Sequence, residues 1–236
     1  MGQTFSVIVP ALGEGALIDS LVDRVRAVAH GRPVEILVVD GHPGRTTLAA
    51  LTRPGVTGLH APQGRARQMN AGARAAHGDV LVFLHADSEL PDHAFEAMEA
   101  VLTDGSRVGG AFDLGIGSPS RPLALIALAA TLRSRLTRIP YGDQAIFLLR
   151  KTFETLNGFA DIPILEDVDL MLRLRRANFA IGFAKGRCLT SARRWGAEGI
   201  WRRTLLNQAI MLLYFLGMPP RRLSGLHKPH AAAKAS

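Results

Sequence analysis

The stretch Val80-Leu81-Val82-Phe83-Leu84-His85-Ala86-Asp87 decides how the chain reads. Five consecutive apolar residues end at a histidine and an aspartate. A short run of that kind, with no polar alternation, predicts a strand covered on both faces, as in a parallel sheet. Upstream, Phe5-Ser6-Val7-Ile8-Val9-Pro10 predicts a second buried strand, followed by a loop at 11–15. Leu17, Ile18, Leu21, Val22, Val25 and Val28 then recur at near-helical spacing. Val34 to Val39 reads as a strand that ends at Asp40-Gly41. Strand, helix and strand thus follow within about 35 residues, the length of a βαβ unit. A short strand at 56–60, a helix at 64–77 and another at 91–102 continue the alternation. The predicted fold class is α/β, with a mostly parallel central sheet flanked by helices. Ligands of such sheets bind beyond the carboxyl ends of the strands, where Pro10, Asp40 and Asp87 lie.

The rhythm changes after Gly109. Gly110 to Ile116 alternates and is glycine-rich, which predicts an edge or bent strand. A strand at 145–149 and a helix at 168–177 follow, and the chain beyond Arg194 reads as helical. With no internal repeat, the expected organisation is one catalytic domain over 1–200. A C-terminal helical extension and a disordered basic tail, Lys228 to Ser236, occupy 201–236.

The 236 residues carry a net charge of +8, which attracts nucleic acid, anionic lipid or phosphorylated small molecules. No basic tract is interleaved with aromatics, and aromatics are only 6% of the chain, so nucleic acid is not an expected partner. The single cysteine, Cys188, excludes an internal disulfide and a cysteine-rich zinc site. The N-terminus does not read as a signal peptide, and the apolar runs 122–132 and 205–218 fall short of the roughly 20 residues that span a bilayer. A cytoplasmic location is expected. The second run is bracketed by Arg202, Arg203, Arg221 and Arg222, which suits either an interfacial helix on the inner face of a membrane or a helix packed on its own domain.

Three carboxylate positions stand out: Asp40, Asp87 and the pair Glu166-Asp167, which precedes a helix. Each is open to a structural reading, as a turn former or a helix cap. Together they suit the transfer of a group that leaves as a pyrophosphate. A divalent cation held by oxygen ligands neutralises that charge, and Asp87 is its best placed ligand. His85 would join Asp87 on one face of the strand, where imidazole favours Mn2+ over Mg2+, or would be a hydrogen-bonded strand-end histidine. Glu166-Asp167 would supply the base for an acceptor hydroxyl. Arg65, Arg67, Arg193 and Arg194 are candidates for phosphate contact, since a guanidinium binds phosphate oxygens in pairs. Gly13-Glu14-Gly15 lacks the third glycine of a dinucleotide site, and there is no P-loop or nucleophile elbow.

In order along the chain, these residues resemble glycosyltransferase family 2. Ser6 to Glu14 is similar to its opening strand and loop, and Val38-Val39-Asp40-Gly41 to its nucleobase strand. Gly64 to Gly72 is similar to its Arg-x-x-x-x-Asn-x-Gly helix, with Arg65 and Asn70. Gly78 to Asp87 resembles the strand leading to its Asp-x-Asp metal motif. Leu165 to Leu170 resembles the element carrying the catalytic base, and Ser191 to Trp195 its Gln-x-x-Arg-Trp element. The resemblance implies a GT-A fold and inversion at the anomeric carbon. It implies a UDP- or GDP-sugar donor bound with Mn2+ or Mg2+, and a hydroxyl acceptor. It places Pro10, Glu14, Asp40, Arg65, Asn70, Asp87, Arg194 and Trp195 around the donor, with Asp40 on the base and Asp87 on the metal. Asp167 is implied as base beside Glu166, and Asp143-Gln144 as part of the acceptor loop. There are departures: His85 replaces the first metal-motif aspartate, Gly13 an asparagine, and Ser191 a glutamine, the last arguing against a processive synthase. The compact His-Ala-Asp form is similar to proteins assigned to arsenosugar biosynthesis. Nucleotidyl transfer and non-catalytic binding of sugar nucleotides at a membrane are the alternatives.

Overall fold

The computed structural model describes residues 2–103 and 105–226, apart from the side chains of Arg194, Ala197 and Glu198. The tail expected at 228–236 lies outside the described residues. Strand β1 (Phe5–Ala11) is buried along its whole length. It pairs in parallel with β2 (Val34–Asp40) and with β4 (Val80–Phe83), and β3 (Thr57–His60) adds to β2, also in parallel. The period-2 pattern of each strand divides the core. Val7, Val9, Ile36, Val38 and Val82 face α1 (Gly15–Val28) and α4 (Ala94–Leu102). Ile8, Leu37, Val39, Leu81 and Phe83 face α3 (Arg65–Ala75) and α7 (Glu166–Arg176) on the other side. This half follows the sequence reading because every strand is a continuous apolar run.

Beyond β4 the sheet becomes mixed, in the order β3-β2-β1-β4-β7-β6-β8-β5. Strand β7 (Ile146–Leu149) runs antiparallel to both neighbours, β4 and β6 (Gly109–Gly117). Strand β8 (Ile181–Ser191) runs parallel to β6, and the two-residue β5 (Ser88–Glu89) is antiparallel to β8. The glycine-rich segment expected at an edge is therefore interior. Added Cβ atoms at Gly109 and Gly110 would meet strand backbone at 2.2 and 2.4 Å, so close pairing, not edge exposure, explains these glycines. The expected bend is present, as an irregular register between Ala111 and Asp113. His85-Ala86-Asp87 is a turn after β4 has ended, not a strand end, so the strand geometry expected to put His85 and Asp87 on one face does not apply.

Helix α5 (Arg121–Thr137), β8 and the short helices α2 (Thr46–Ala50) and α6 (Arg150–Thr155) are additions to the sequence reading. The chain after β8 forms α8 (Arg193–Glu198), α9 (Ile200–Phe215) and α10 (Pro220–Leu223). Among the described residues no helix is long and apolar enough to cross a membrane.

Helix α3 sits hard against the sheet at Gly72, where a Cβ would lie 2.5 Å from Ile8 Cγ2 and 3.1 Å from Val39 Cγ2. Replacing Gly72 with alanine overpacks this contact, and we expect a loss of about 1–3 kcal/mol. A urea titration checks it, and an unchanged midpoint would show that the helix can lift without cost.

Candidate active site

A crevice of about 420 Å3 opens at the carboxyl ends of the parallel strands. A larger cavity, about 590 Å3, is lined by α5, α7 and the start of β8 but has no acidic side chain in its lining. The smaller crevice is where the acids converge, with Pro10, Glu14, Arg65, His85 and Asp87 in its lining together with Asp143, Glu166, Asp167 and Trp195. Nine of the residues singled out in the sequence thus share one cleft.

Each is positioned by its own element. Asp87 follows β4, and its carbonyl accepts the Ser191 N–H at 3.1 Å, which ties this turn to β8. A single 3-10 turn, Gly142–Gln144, brings in Asp143. Glu166 and Asp167 open α7, where the helix N-terminus favours negative charge. The turn and the helix are joined because Asp167 Oδ2 accepts the Gly142 N–H at 2.6 Å. His85 completes the junction: a Cβ on Gly142 would lie 2.8 Å from its Nε2 and 3.4 Å from Asp167 Oδ2. Leu165 and Ala145 flank the site in left-handed backbone conformations (φ 65° and 48°) that bulky or β-carbon-bearing residues seldom adopt.

Burial sets the electrostatics. It lifts the Glu166 carboxyl well above its ordinary value, reinforced by the charge of Asp167. Burial, again with Asp167, raises Asp143 to about 6. Behind them the Arg133 guanidinium lies 3.3 Å from the Tyr141 ring centroid. Its own pKa is pulled down to about 10 by burial, against the opposing charges of Asp143 and Asp167. Asp143 Oδ1 and Trp195 Nε1 are buried with no protein partner, as expected of groups whose partner is a ligand.

Other expected site residues lie elsewhere. The carboxylate of Asp40 is fully buried and accepts the N–H groups of His42, Thr47 and Leu48. It shapes the loop beside the crevice and is not part of the crevice lining. Asn70 exchanges two hydrogen bonds with the Phe159 backbone, which holds the loop leading to Glu166. Gln144 is buried, bonded through its side chain to Ser134, Tyr141 and Phe112, and does not line the crevice. Arg67 pairs with Asp161, and Arg193 reaches Glu14 at 3.5 Å. The side chain of Arg194 is outside the described residues. Arg203, expected to face lipid, is 5% exposed and lines the crevice with Asn207 of α9. Nothing in the sequence singled out Arg133 or Asn207, because helices α5 and α9 reach the site only in three dimensions. Among the described residues no three His, Cys, Asp or Glu side chains converge as a metal cluster.

A model of the family Glycosyl transferase family 2 matches residues 6–152, more than half of the chain, and the chain belongs to that family. It is a glycosyltransferase with a GT-A fold. No curated protein matches it by sequence. Among solved structures it is similar to the mannosyltransferase PcManGT from Pyrobaculum calidifontis in complex with GDP-Man and Mn2+. The identity is 21%, over 96% of this chain and 69% of that one, with a TM-score of 0.69. It is also similar to glucosyl-3-phosphoglycerate synthase from Mycobacterium tuberculosis in complex with Mn2+, UDP and phosphoglyceric acid. There the identity is 23%, over 92% and 80% of the two chains, with a TM-score of 0.59. S. aureus TarS matches at 13% identity over 80% of this chain and 36% of its own, with a TM-score of 0.58. The family assignment decides for glycosyl transfer over nucleotidyl transfer and over binding without catalysis.

Gly142→Ala tests the junction. The methyl group must displace the His85 ring, and we expect activity to fall about 100-fold, because misplacements near 1 Å cost that much. The thermal midpoint should hardly move. Full activity in the variant would show that His85 and Asp167 need not meet at this turn.

Proposed function

We propose that the protein transfers a sugar from a UDP- or GDP-sugar to a hydroxyl acceptor with inversion, Asp167 acting as base and Glu166 beside it. The observation that carries this is the convergence in one crevice of His85 and Asp87 with Asp143, Glu166 and Asp167. The acceptor hydroxyl attacks the anomeric carbon from the face opposite the nucleotide. A carboxylate takes its proton as the new glycosidic bond forms, and the bond to the β-phosphate oxygen breaks with its electron pair on the departing diphosphate. Arg65 lines the crevice as a phosphate partner. Trp195, Glu14 and Pro10 line the same crevice and would border the donor, and Asp143 would take the acceptor through its unpartnered oxygen.

Two protein donors fit a cation that arrives with the nucleotide, because Mn2+ and Mg2+ keep several positions for phosphate oxygens and water. When bound, such an ion supplies charge stabilisation for the departing diphosphate. The manganese bound by two of the related structures supports Mn2+, and His85 favours it over Mg2+.

A panel of UDP- and GDP-sugars with Mn2+ or Mg2+, read by NMR of the product anomer, is the test. Turnover with inversion is expected, and Asp87→Ala should lose at least about 100-fold in kcat/KM with a weakened metal dependence. Retention of configuration, or full activity in Asp87→Ala, would overturn the reading.

The raised carboxyl pKa values set a pH dependence. Ionising Asp143 and Glu166 adds negative charge beside Asp167 and strengthens it as a base, so the rate should climb as pH rises through the range near 6 and above to which those two carboxyls are lifted. Stability should run the other way. With Glu166 raised in the folded state, its contribution is fully present below the ordinary value of 4.5 and is lost as pH rises through the folded value. Glu166→Gln removes the charge beside the base and should lower kcat by about tenfold. Its melting temperature relative to the native protein should rise more at pH 8 than at pH 4.5. An equal difference at both pH values would mean that Glu166 ionises as freely folded as unfolded.

A further inference from the structure

Helix α5 is built inside out. Its buried positions are Leu123, Ala127, Thr131 and Ser134, while Leu125, Leu128, Leu132 and Leu136 are 67, 59, 56 and 75% exposed. The spacing of these four leucines puts them on one stripe of the helix. Helix α9 has the same character. Ile210 and Met211 turn inward, whereas Trp201, Leu205, Leu212 and Phe215 are 68, 67, 62 and 57% exposed. At 100° per residue these fall within a single wedge, and Leu216, 73% exposed, extends it. The two helices are neighbours, since Ile200 of α9 packs on the small cluster built around Leu123 and Ala127 of α5. Monomeric proteins rarely leave so many large apolar side chains in the open.

We propose that the α5–α9 face docks on the surface of an anionic lipid bilayer. The charges around the stripes choose this occupant. Residues 121–138 and 200–226 contain arginines but no aspartate or glutamate. Arg121, Arg202, Arg221 and Arg222 are exposed along these segments. A second copy of the chain, related by a two-fold axis, would set arginine margin against arginine margin. A layer of anionic headgroups complements them, and the leucines and Trp201 then enter the boundary with the acyl chains. No described helix can span, so the protein lies on the surface. Helix α9 alone, about 10 Å across, separates that surface from the crevice, which Arg203 and Asn207 line.

Cosedimentation of the full chain with vesicles of phosphatidylcholine, with and without phosphatidylserine, tests this. We expect at least about tenfold stronger partition to the anionic vesicles, reduced by high salt. Leu128→Gln/Leu132→Gln in α5 alone, and Trp201→Gln/Leu212→Gln in α9 alone, should each cut partition several-fold. Because these side chains are exposed, circular dichroism and melting should report an intact fold. Failure to bind anionic vesicles overturns the proposal, as does binding that the α5 pair leaves unchanged. Self-association in solution that the same substitutions abolish, without vesicle binding, would assign the face to a second copy.

Discussion

The hydrogen bond from the Gly142 N–H to Asp167 Oδ2, 2.6 Å long, holds the candidate site together. It joins two segments 25 residues apart, the 3-10 turn after α5 and the first turn of α7. The turn also carries Asp143 and abuts His85, so this one contact fixes the spacing between the acids of α7 and the donor side of the crevice. The loop that delivers α7 is fastened separately. Asn70 bonds both backbone groups of Phe159, Arg173 donates to the carbonyls of Leu156 and Gly158, and Arg67 pairs with Asp161. Polar groups well outside the crevice thus hold the acids of α7 in place, as a site that acts by positioning requires.

That arrangement carries a cost. Asp143 and Glu166 are lifted because burial penalises their ionised forms, and Asp167 beside them adds like charge. The helix N-terminus and Arg133 offset part of it. Arg133 is itself penalised by burial, so it balances the acids without neutralising them outright. The left-handed Leu165 and Ala145 add local strain at the two ends of the same junction. A cluster of this kind is a poor contributor to stability, and perturbed carboxyls of this sort gather at functional sites.

The first half of the fold was legible because its strands are buried on both faces and its helices carry one apolar stripe. Helix α5 was not legible for a physical reason: Thr131 and Ser134 face inward and four leucines outward, the reverse of the usual pattern. Strand β8 interrupts its alternation with Gly182, Lys185, Gly186 and Arg187, so no period-2 signal survives. At the site, the acids of α7 and the His85-Ala86-Asp87 turn, both singled out in the sequence, line the crevice. Asp40, Asn70 and Gln144 lie outside its lining, which the sequence does not reveal, because a polar residue in a sequence looks the same whether it meets a ligand or the backbone. Only the structure shows that Asp40 caps the loop through three N–H groups and that Gln144 has its amide fully engaged.

The same geometry gives a reason for an imidazole at position 85. The crevice already holds the carboxylates of Glu14, Asp87, Asp143, Glu166 and Asp167. The side chain at 85 approaches the point on Gly142 that Asp167 also approaches. An aspartate there would set another charge beside Asp143 and Glu166, which burial and the charge of Asp167 already lift, and would raise them further. A histidine offers a metal a nitrogen donor and adds no negative charge. On the proposed function, a cation that arrives with a diphosphate brings oxygen ligands with it, so fewer carboxylates are needed from the protein and the acids of α7 are spared a further like charge.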